Sequence, residues 1–123
     1  MKLTENIRLK ELTCRCGCAH HVFYETEIRV LAYMLQEIRD HFKKPIIVTS
    51  GMRCSRHNAN VKGAASSYHM IGMAADFYIK GVNLHEVHEG VLDLMKNAKV
   101  LTGGVKKYNT FIHYDFRGIP VQF

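Results

Sequence analysis

The sequence has no long apolar run. No stretch of about 18 apolar residues occurs in the chain, and its first segment, Met1 to His20, is polar and charged. We therefore expect neither a membrane span nor a secretion signal. The chain also lacks an arginine-rich tract and any segment in which aromatic and basic residues interleave, which argues against a nucleic-acid-binding module.

Acidic residues are fewer than basic residues. The chain has 17 Lys and Arg against 11 Asp and Glu, a net charge of +6. This net positive charge suits an anionic partner, but it does not indicate whether that partner is a wall polymer, a nucleic acid or an acidic lipid surface. A length of 123 residues predicts one domain over 1–123, on which the N-terminal segment 1–24 packs.

Cysteine is scarce and concentrated near the N-terminus. Cys14, Cys16 and Cys18 alternate with other residues beside two histidines, and Cys54 is the fourth cysteine. Structural zinc sites more often use cysteines two to four residues apart, and C-x-C-x-C strains a single tetrahedral ion. We therefore expect free thiols in the cytoplasm or a disulfide in an oxidising compartment, and a second metal site remains open.

The spacing of apolar residues predicts two helices. Residues 25–42 carry an apolar stripe at intervals of three and four, and Pro45 ends this helix. A second helix begins after Asn83, with Glu86 three residues on as a near capping box, and its stripe comprises Leu84, Val87, Val91, Leu92 and Met95. His85 and His88 lack the i, i+4 spacing of a metalloprotease helix, so we predict that they lie on the surface.

Short β-branched or alternating runs predict the strands. They lie at 46–49, 73–79, 111–116 and 119–123, and residues 55–66 are predicted to form a loop with one helical turn. Strands that alternate with two helices predict an α+β architecture.

Two strong metal ligands lie in the stretch from Ser67 to Asp76. His69 and Asp76 are separated by a turn and small residues, and alternation places Asp76 on the same strand face as Ala74, which leaves room for an ion. In the run from 111 to 116, His113 and Asp115 share one strand face. Two imidazoles and a carboxylate are typical of a catalytic zinc, so we predict His69, Asp76 and His113 as its ligands.

These residues form a recognisable pattern. Ser67-x-His69-x-x-Gly72-x-Ala74-x-Asp76, followed by His113-x-Asp115, resembles the signature of the zinc D-Ala-D-Ala carboxypeptidases and their peptidoglycan endopeptidase and phage endolysin relatives, peptidase family M15. The resemblance covers most of the chain from about residue 12 onward, and is to the short, single-domain form. Further matching stretches are 49–54, His57-Asn58, Gly63-Ala64, Gly103-Gly104 and Arg117-Gly118.

The resemblance implies a fold and an activity. The fold is the hedgehog-like peptidase fold, in which helices pack on one side of an antiparallel sheet and the open face holds one zinc ion. The activity is hydrolysis of peptide bonds involving D-amino acids in peptidoglycan stem peptides or cross-links, by a monomer. Without a secretion signal, such an enzyme would be made in the cytoplasm and reach the wall by lysis, through a holin pore or on a phage particle.

The resemblance also implies roles for individual residues. Arg53 and Ser67 are expected to contact the substrate, with Arg53 holding its carbonyl or developing oxyanion. Asp115 is the nearest candidate for the general base, although its position also suits a residue that orients a ligand histidine. In several relatives the base is an acid shortly before the third ligand, where this chain has Tyr108, Asn109 and Thr110.

Two further expectations follow. The resembling family often has a similar cysteine cluster before its first helix and a cysteine after the residue matching Arg53, which implies a structural link between the N-terminal segment and the Cys54 loop. The alternative function is a zinc-stabilised binding or structural module of a phage particle that does not turn over substrate. A pure binding module would need neither Arg53 nor Asp115.

Overall fold

The computed structural model describes residues 1–121 and has the α+β architecture that the sequence predicts. Its helices are α1 (Leu9–Leu12), α2 (Glu25–Phe42), α3 (Ser55–Asn60) and α4 (Leu84–Lys96), with 3-10 helices at His20–Tyr24 and Tyr68–Ile71. Its strands are β1 (Ile46–Ser50), β2 (Ala74–Ile79), β3 (Val105–Lys107) and β4 (Ile112–Asp115). No helix among the described residues combines the length and apolar character needed to cross a bilayer.

The strands form one antiparallel sheet in the order β1-β2-β4-β3. Alternation gives each central strand a core side, where Ala75, Phe77, Ile112 and Tyr114 are fully buried against α2 and α4. The opposite side carries the polar residues of β2 and β4. Asp76 pairs directly with His113 in this register, so the sheet itself brings two predicted ligands side by side.

Helix α2 has the bounds that its apolar stripe predicts. Ile28, Leu31, Leu35 and Ile38 are at most 1% exposed. The helix ends when Lys43 adopts a left-handed conformation, with φ of 55°, and donates its backbone N–H to Arg39 O. Pro45, just beyond, could not continue the hydrogen-bond ladder.

Helix α4 begins as predicted but buries a slightly different stripe. The Asn83 side chain accepts a hydrogen bond from the Glu86 backbone N–H at 2.9 Å, which satisfies one of the free donors of the first turn. The prediction for Leu92 was wrong, because it is 37% exposed and Leu94 is buried in its place. Gly90 allows the close approach of Phe42, whose ring would collide with an added Cβ.

The predictions for the loop and the C-terminal strand were less accurate. Residues 55–60 form the short helix α3. Within the predicted strand 119–123, Ile119 is 64% exposed and Val121 makes a single parallel bridge with Gly104. The remaining part of that strand lies outside the described residues.

The N-terminal segment is joined to the β1–α3 connection. Met52 donates its backbone N–H to Leu12 O at 2.8 Å, and Leu12 is fully buried. The approach is close enough that a Cβ at Gly51 would lie 2.6 Å from Leu12 Cα. This contact fixes residues 51–54, which adjoin the polar side of the sheet.

Replacement of Leu35 by alanine should destabilise the fold by about 2–5 kcal/mol, because the cavity left in the core cannot fully collapse. Leu92→Ala on α4 is the matched control, with an expected change of about 0.5 kcal/mol or less for an exposed site. Denaturant unfolding midpoints at constant slope measure both. Equal losses for the two variants would contradict the assignment of the core.

Candidate metal centre

A tight turn just before β2 holds His69. Ser67 precedes the 3-10 helix, and its Oγ accepts the His69 backbone N–H at 3.2 Å. Gly72 then adopts a φ of 73°, which L-residues with a side chain rarely adopt, and ends the turn. The spacing Ser67-x-His69-x-x-Gly72 is thus the spacing of a capped turn.

Three potential ligand atoms converge beside this turn. His69 Nε2 and His113 Nδ1 each lie 3.1 Å from Asp76 Oδ1, and the three atoms all lie within 4.8 Å of one another. His69 is 2% exposed and Asp76 is 5% exposed. The structure therefore brings together the three residues predicted as ligands.

The outer nitrogen of each imidazole has a partner that orients the ring. His69 Nδ1 lies 2.8 Å from Gly51 O, which can only accept, so Nδ1 carries the proton. His113 Nε2 lies 2.8 Å from Asp115 Oδ2 and donates to it. In the neutral rings, His69 Nε2 and His113 Nδ1 therefore present lone pairs toward the Asp76 carboxylate.

This donor set fits a divalent zinc ion. Two lone pairs and a carboxylate oxygen facing one another repel unless a cation or a proton lies between them. Two neutral imidazoles and one carboxylate are ligands that zinc prefers, and three protein ligands leave a coordination position open. His69, Asp76 and His113 would hold the ion.

Asp76 is shared between the histidines and an arginine. Arg53 Nη2 lies 3.0 Å from Asp76 Oδ2, while Oδ1 faces the two imidazoles. Burial alone would raise the pKa of Asp76, but without a metal the hydrogen bonds that His113 and His69 donate when their rings are protonated outweigh it and lower the pKa to about 2. The carboxylate is therefore ionised at any pH at which the protein would bind metal.

Arg53 is held firmly in this position. Its Nε donates to Ser50 Oγ at 3.0 Å, its Nη1 donates to Asn58 Oδ1 at 3.3 Å, and its backbone N–H donates to His69 O at 2.9 Å. The sequence predicted a substrate contact for Arg53 and did not predict this bond to a ligand carboxylate.

Asp115 is fully buried behind His113. Arg117 Nε and Nη2 contact its two oxygens at 2.7 Å each, and the Gly104 backbone N–H donates to Oδ1 at 3.0 Å. Burial would raise the pKa of Asp115, but bonds with Arg117 and His113 hold that pKa well below its usual range. Of the two roles open from the sequence, these contacts fit the orienting role.

The sequence predicted no role for Arg117 or for the glycines near it. Arg117 also lies over the Tyr68 ring, 4.4 Å from its centroid. A Cβ at Gly103 would collide with the backbone carbonyl of Asp115, so this glycine is required by close packing. The matching pairs Gly103-Gly104 and Arg117-Gly118 were the available signal.

An open cavity of about 630 Å³ lies above the three ligand atoms. Its wall carries three cationic side chains, Arg53, Lys62 and Arg117, whereas Asp76 is the one acidic residue among the described residues that line it. Tyr108 and Phe111 stack on each other at the rim, with centroids 4.5 Å apart. Ser67 lines the cavity too, although its Oγ also caps the turn that carries His69.

The histidines on α4 lie outside this centre. His85 is exposed, and His88 Nδ1 lies 3.9 Å from Glu89 Oε1 on the same helix. Neither lines the cavity within the described part of the chain. His57 is half-buried in α3, and its backbone N–H donates to Cys54 Sγ.

Comparison with known proteins identifies one family. A family model described as Peptidase M15 matches residues 5–115 of the chain. The matched range includes His69, Asp76, His113 and Asp115. A search of curated proteins gave no match.

Zinc affinity at this centre should fall as the pH decreases, because the ligands bind metal only when deprotonated. Burial opposes a charge on His113, but bonds with Asp115 and Asp76 raise its pKa above the ordinary value. Below that pKa, affinity should fall about tenfold per pH unit. Chelator competition with the wild-type protein over a pH series measures this affinity. The ion at this centre is identified as the one that His113→Ala fails to bind, and His85→Ala, which should bind it normally, is the control. A flat profile through the histidine range would contradict the ligand assignment.

Asp115→Asn should weaken zinc binding about ten- to a hundredfold, because the amide no longer offers His113 and Arg117 a charged acceptor. Asp93→Asn, on the exposed face of α4, is the matched control and should leave affinity unchanged. Competition with a chelator of known affinity gives both values. Wild-type affinity in Asp115→Asn would show that Asp115 does not support the ligand.

Proposed function

Because the chain belongs to the peptidase M15 family, whose members are zinc-dependent metallopeptidases, we propose that it hydrolyses peptide bonds involving D-amino acids in peptidoglycan. The bonds would be those of stem peptides or their cross-links. The observation that carries this proposal is the convergence of His69 Nε2, Asp76 Oδ1 and His113 Nδ1 below an open cavity. One position left open by three ligands is what metal-assisted hydrolysis requires.

The charge of the cavity wall suits a peptide substrate that carries carboxylates. Arg53, Lys62 and Arg117 give it a positive charge, and peptidoglycan stem peptides present free or amide-linked carboxyl groups. Charge-assisted hydrogen bonds to an arginine fix both the position and the orientation of a carboxylate. The stacked rings of Tyr108 and Phe111 offer an apolar surface for the small side chains next to the scissile bond.

When bound, zinc would polarise the scissile carbonyl and lower the pKa of its water. Arg53 binds Asp76 Oδ2 and so holds the carboxylate in the orientation in which Oδ1, beside the two imidazoles, would be available to the metal. Each terminal guanidinium nitrogen carries a second N–H beyond those in these bonds. We assign these to the substrate carbonyl, where they would stabilise negative charge that grows during attack.

Asp115 is assigned an orienting role. It is fully buried, both oxygens bond to Arg117 and His113, and its pKa is held low, all of which oppose acceptance of a proton. Its function would be to keep the His113 ring in the tautomer whose Nδ1 faces the metal. The proton of the attacking water would then leave by another group or by solvent in the open cavity.

One observation favours the second candidate, a zinc-stabilised binding module. Apart from Asp76, no described residue that lines the cavity is a carboxylate, so no acid of residues 1–121 stands ready as a general base there. A module that binds wall peptides without cutting them needs the ligands and the cationic wall but no base.

Digestion of purified peptidoglycan by the zinc-loaded protein tests the two functions. Hydrolysis should produce new ends next to D-amino acids, identified by mass spectrometry. Free D-Ala would indicate a carboxypeptidase, and separated cross-linked stems would indicate an endopeptidase. The His69→Ala, His113→Ala double variant should lose activity, whereas the matched pair His85→Ala, His88→Ala on α4 should keep it. Wall binding without new ends would contradict the peptidase and support the binding module.

Arg53→Ala should lower the hydrolysis rate about a hundredfold or more even at saturating zinc, because a donor to the developing oxyanion is lost. It should also weaken zinc binding, since Asp76 Oδ2 loses its partner. Rates measured across a zinc titration separate the two effects. A return to the wild-type rate at high zinc would show that Arg53 acts only through Asp76. Arg56→Ala, an exposed arginine of α3, is the control.

A further inference from the structure

The cysteines form a second cluster away from the cavity. Cys14, Cys16 and Cys18 come from the N-terminal segment, and Cys54 directly precedes α3. Cys14 Sγ lies 3.3 Å from Cys16 Sγ and 3.8 Å from Cys54 Sγ, and Cys16 Sγ lies 3.6 Å from Cys54 Sγ. All four sulfur atoms lie within 4.8 Å of one another.

The three sulfur–sulfur distances of 3.3–3.8 Å are close to those between the ligands of a tetrahedral zinc site. Zinc–sulfur bonds of about 2.3 Å place the sulfur atoms of a tetrahedral site about 3.8 Å apart. A disulfide requires a sulfur–sulfur distance of about 2.05 Å, and all four cysteines are free thiols. Two disulfides would consume the four residues in pairs and would not require all four sulfur atoms around one point.

The backbone removes the strain that the spacing C-x-C-x-C suggested. Gly17, between Cys16 and Cys18, has a φ of 84°, and its N–H donates to Cys14 O at 3.0 Å. The chain therefore turns between Cys14 and Gly17, and the sulfur atoms of the alternate residues lie around a common point. A Cβ at Gly17 would meet nothing within 4 Å, so the glycine is needed for its conformation.

Backbone donors at the cluster favour thiolates, the form that binds metal. The Cys54 N–H points to Cys14 Sγ and the His57 N–H points to Cys54 Sγ, each at 3.4 Å. Each of these N–H groups would stabilise negative charge on the sulfur atom that it faces.

We propose that Cys14, Cys16, Cys18 and Cys54 bind a second, structural zinc ion. Four thiolates complete its coordination, so the site has no open position for water and no role in hydrolysis. The sequence predicts one zinc ion and leaves a second metal site open, because the spacing of the cysteines does not reveal the turn between Cys14 and Gly17. This second site does not depend on the proposed peptidase function.

The ion would tie the N-terminal segment to the loop that supports the first centre. Cys54 adjoins Arg53, which bonds to Asp76, and Gly51 O accepts from His69 Nδ1. Cys14 and Cys54 are 40 residues apart in sequence, so a shared metal closes a long loop of the unfolded chain. The second zinc would therefore stabilise the loop that orients a ligand of the first.

Zinc counting on the wild-type protein tests the proposal directly. Protein purified under reducing conditions should contain about two zinc ions per chain, and an organomercurial that blocks thiols should release one of them. The His69→Ala, His113→Ala double variant should retain one ion, with sulfur alone at about 2.3 Å in its X-ray absorption spectrum. One zinc per chain together with four freely alkylated thiols, or a disulfide among these cysteines, would overturn the site.

Two variants test the ligands separately. Cys16→Ser and Cys18→Ser replace ligands that are not buried, so the fold should form, and each should lower the zinc content from about two to about one. Each should also lower the Tm of the zinc-loaded protein. Ala19→Ser adds a hydroxyl to the same exposed segment and should change neither. Retention of two zinc ions by both cysteine variants would overturn the proposal.

Discussion

The buried carboxylate of Asp76 is the constraint around which this structure is arranged. An ionised group that is 5% exposed must be compensated. Asp76 meets a guanidinium at Oδ2, and at Oδ1 it faces two imidazoles with which it would share a cation or a proton. The partners come from the 3-10 turn before β2, from β4 and from the loop after β1. The positions of these three elements are thus coupled through one side chain.

A second layer of contacts decides what the histidines can do. A backbone carbonyl holds His69, whereas a buried ion pair of Asp115 and Arg117 holds His113. Both partners accept a hydrogen bond from the outer ring nitrogen, so both inner nitrogens direct their lone pairs at one point. A mobile histidine pair would have to lose rotamer freedom on binding metal, and these rings are already oriented.

The two proposed metal sites differ in what surrounds them. The histidine and aspartate centre faces an open cavity and has a coordination position for water or substrate, which suits chemistry. The cysteine cluster lies where the N-terminal segment crosses the β1–α3 connection and would be closed by four thiolates, which suits a structural role. They meet in residues 51–54, a loop that adjoins both and connects folding of the N-terminal segment with orientation of His69 and Arg53.

The sequence by itself determined the local elements and the candidate ligands. The stripe of α2 predicted its bounds, Asn83 predicted the start of α4, and alternation predicted that Asp76 and His113 lie on the polar faces of their strands. Family membership followed from the same residues. Local spacing suffices for these features because helical and strand periodicities act within a few residues.

Only the tertiary structure decided which distant groups satisfy one another. Arg53 bonds to Asp76, and Cys54 meets the N-terminal cysteines, although these residues lie on different elements. Asp115 is buried behind Arg117. The spacing of residues in the sequence does not reveal any of these contacts. The choice between Leu92 and Leu94 in α4 depended on the partner surface. Partners, burial and pKa shifts arise from packing in three dimensions, whereas a sequence pattern specifies only the face on which a side chain lies.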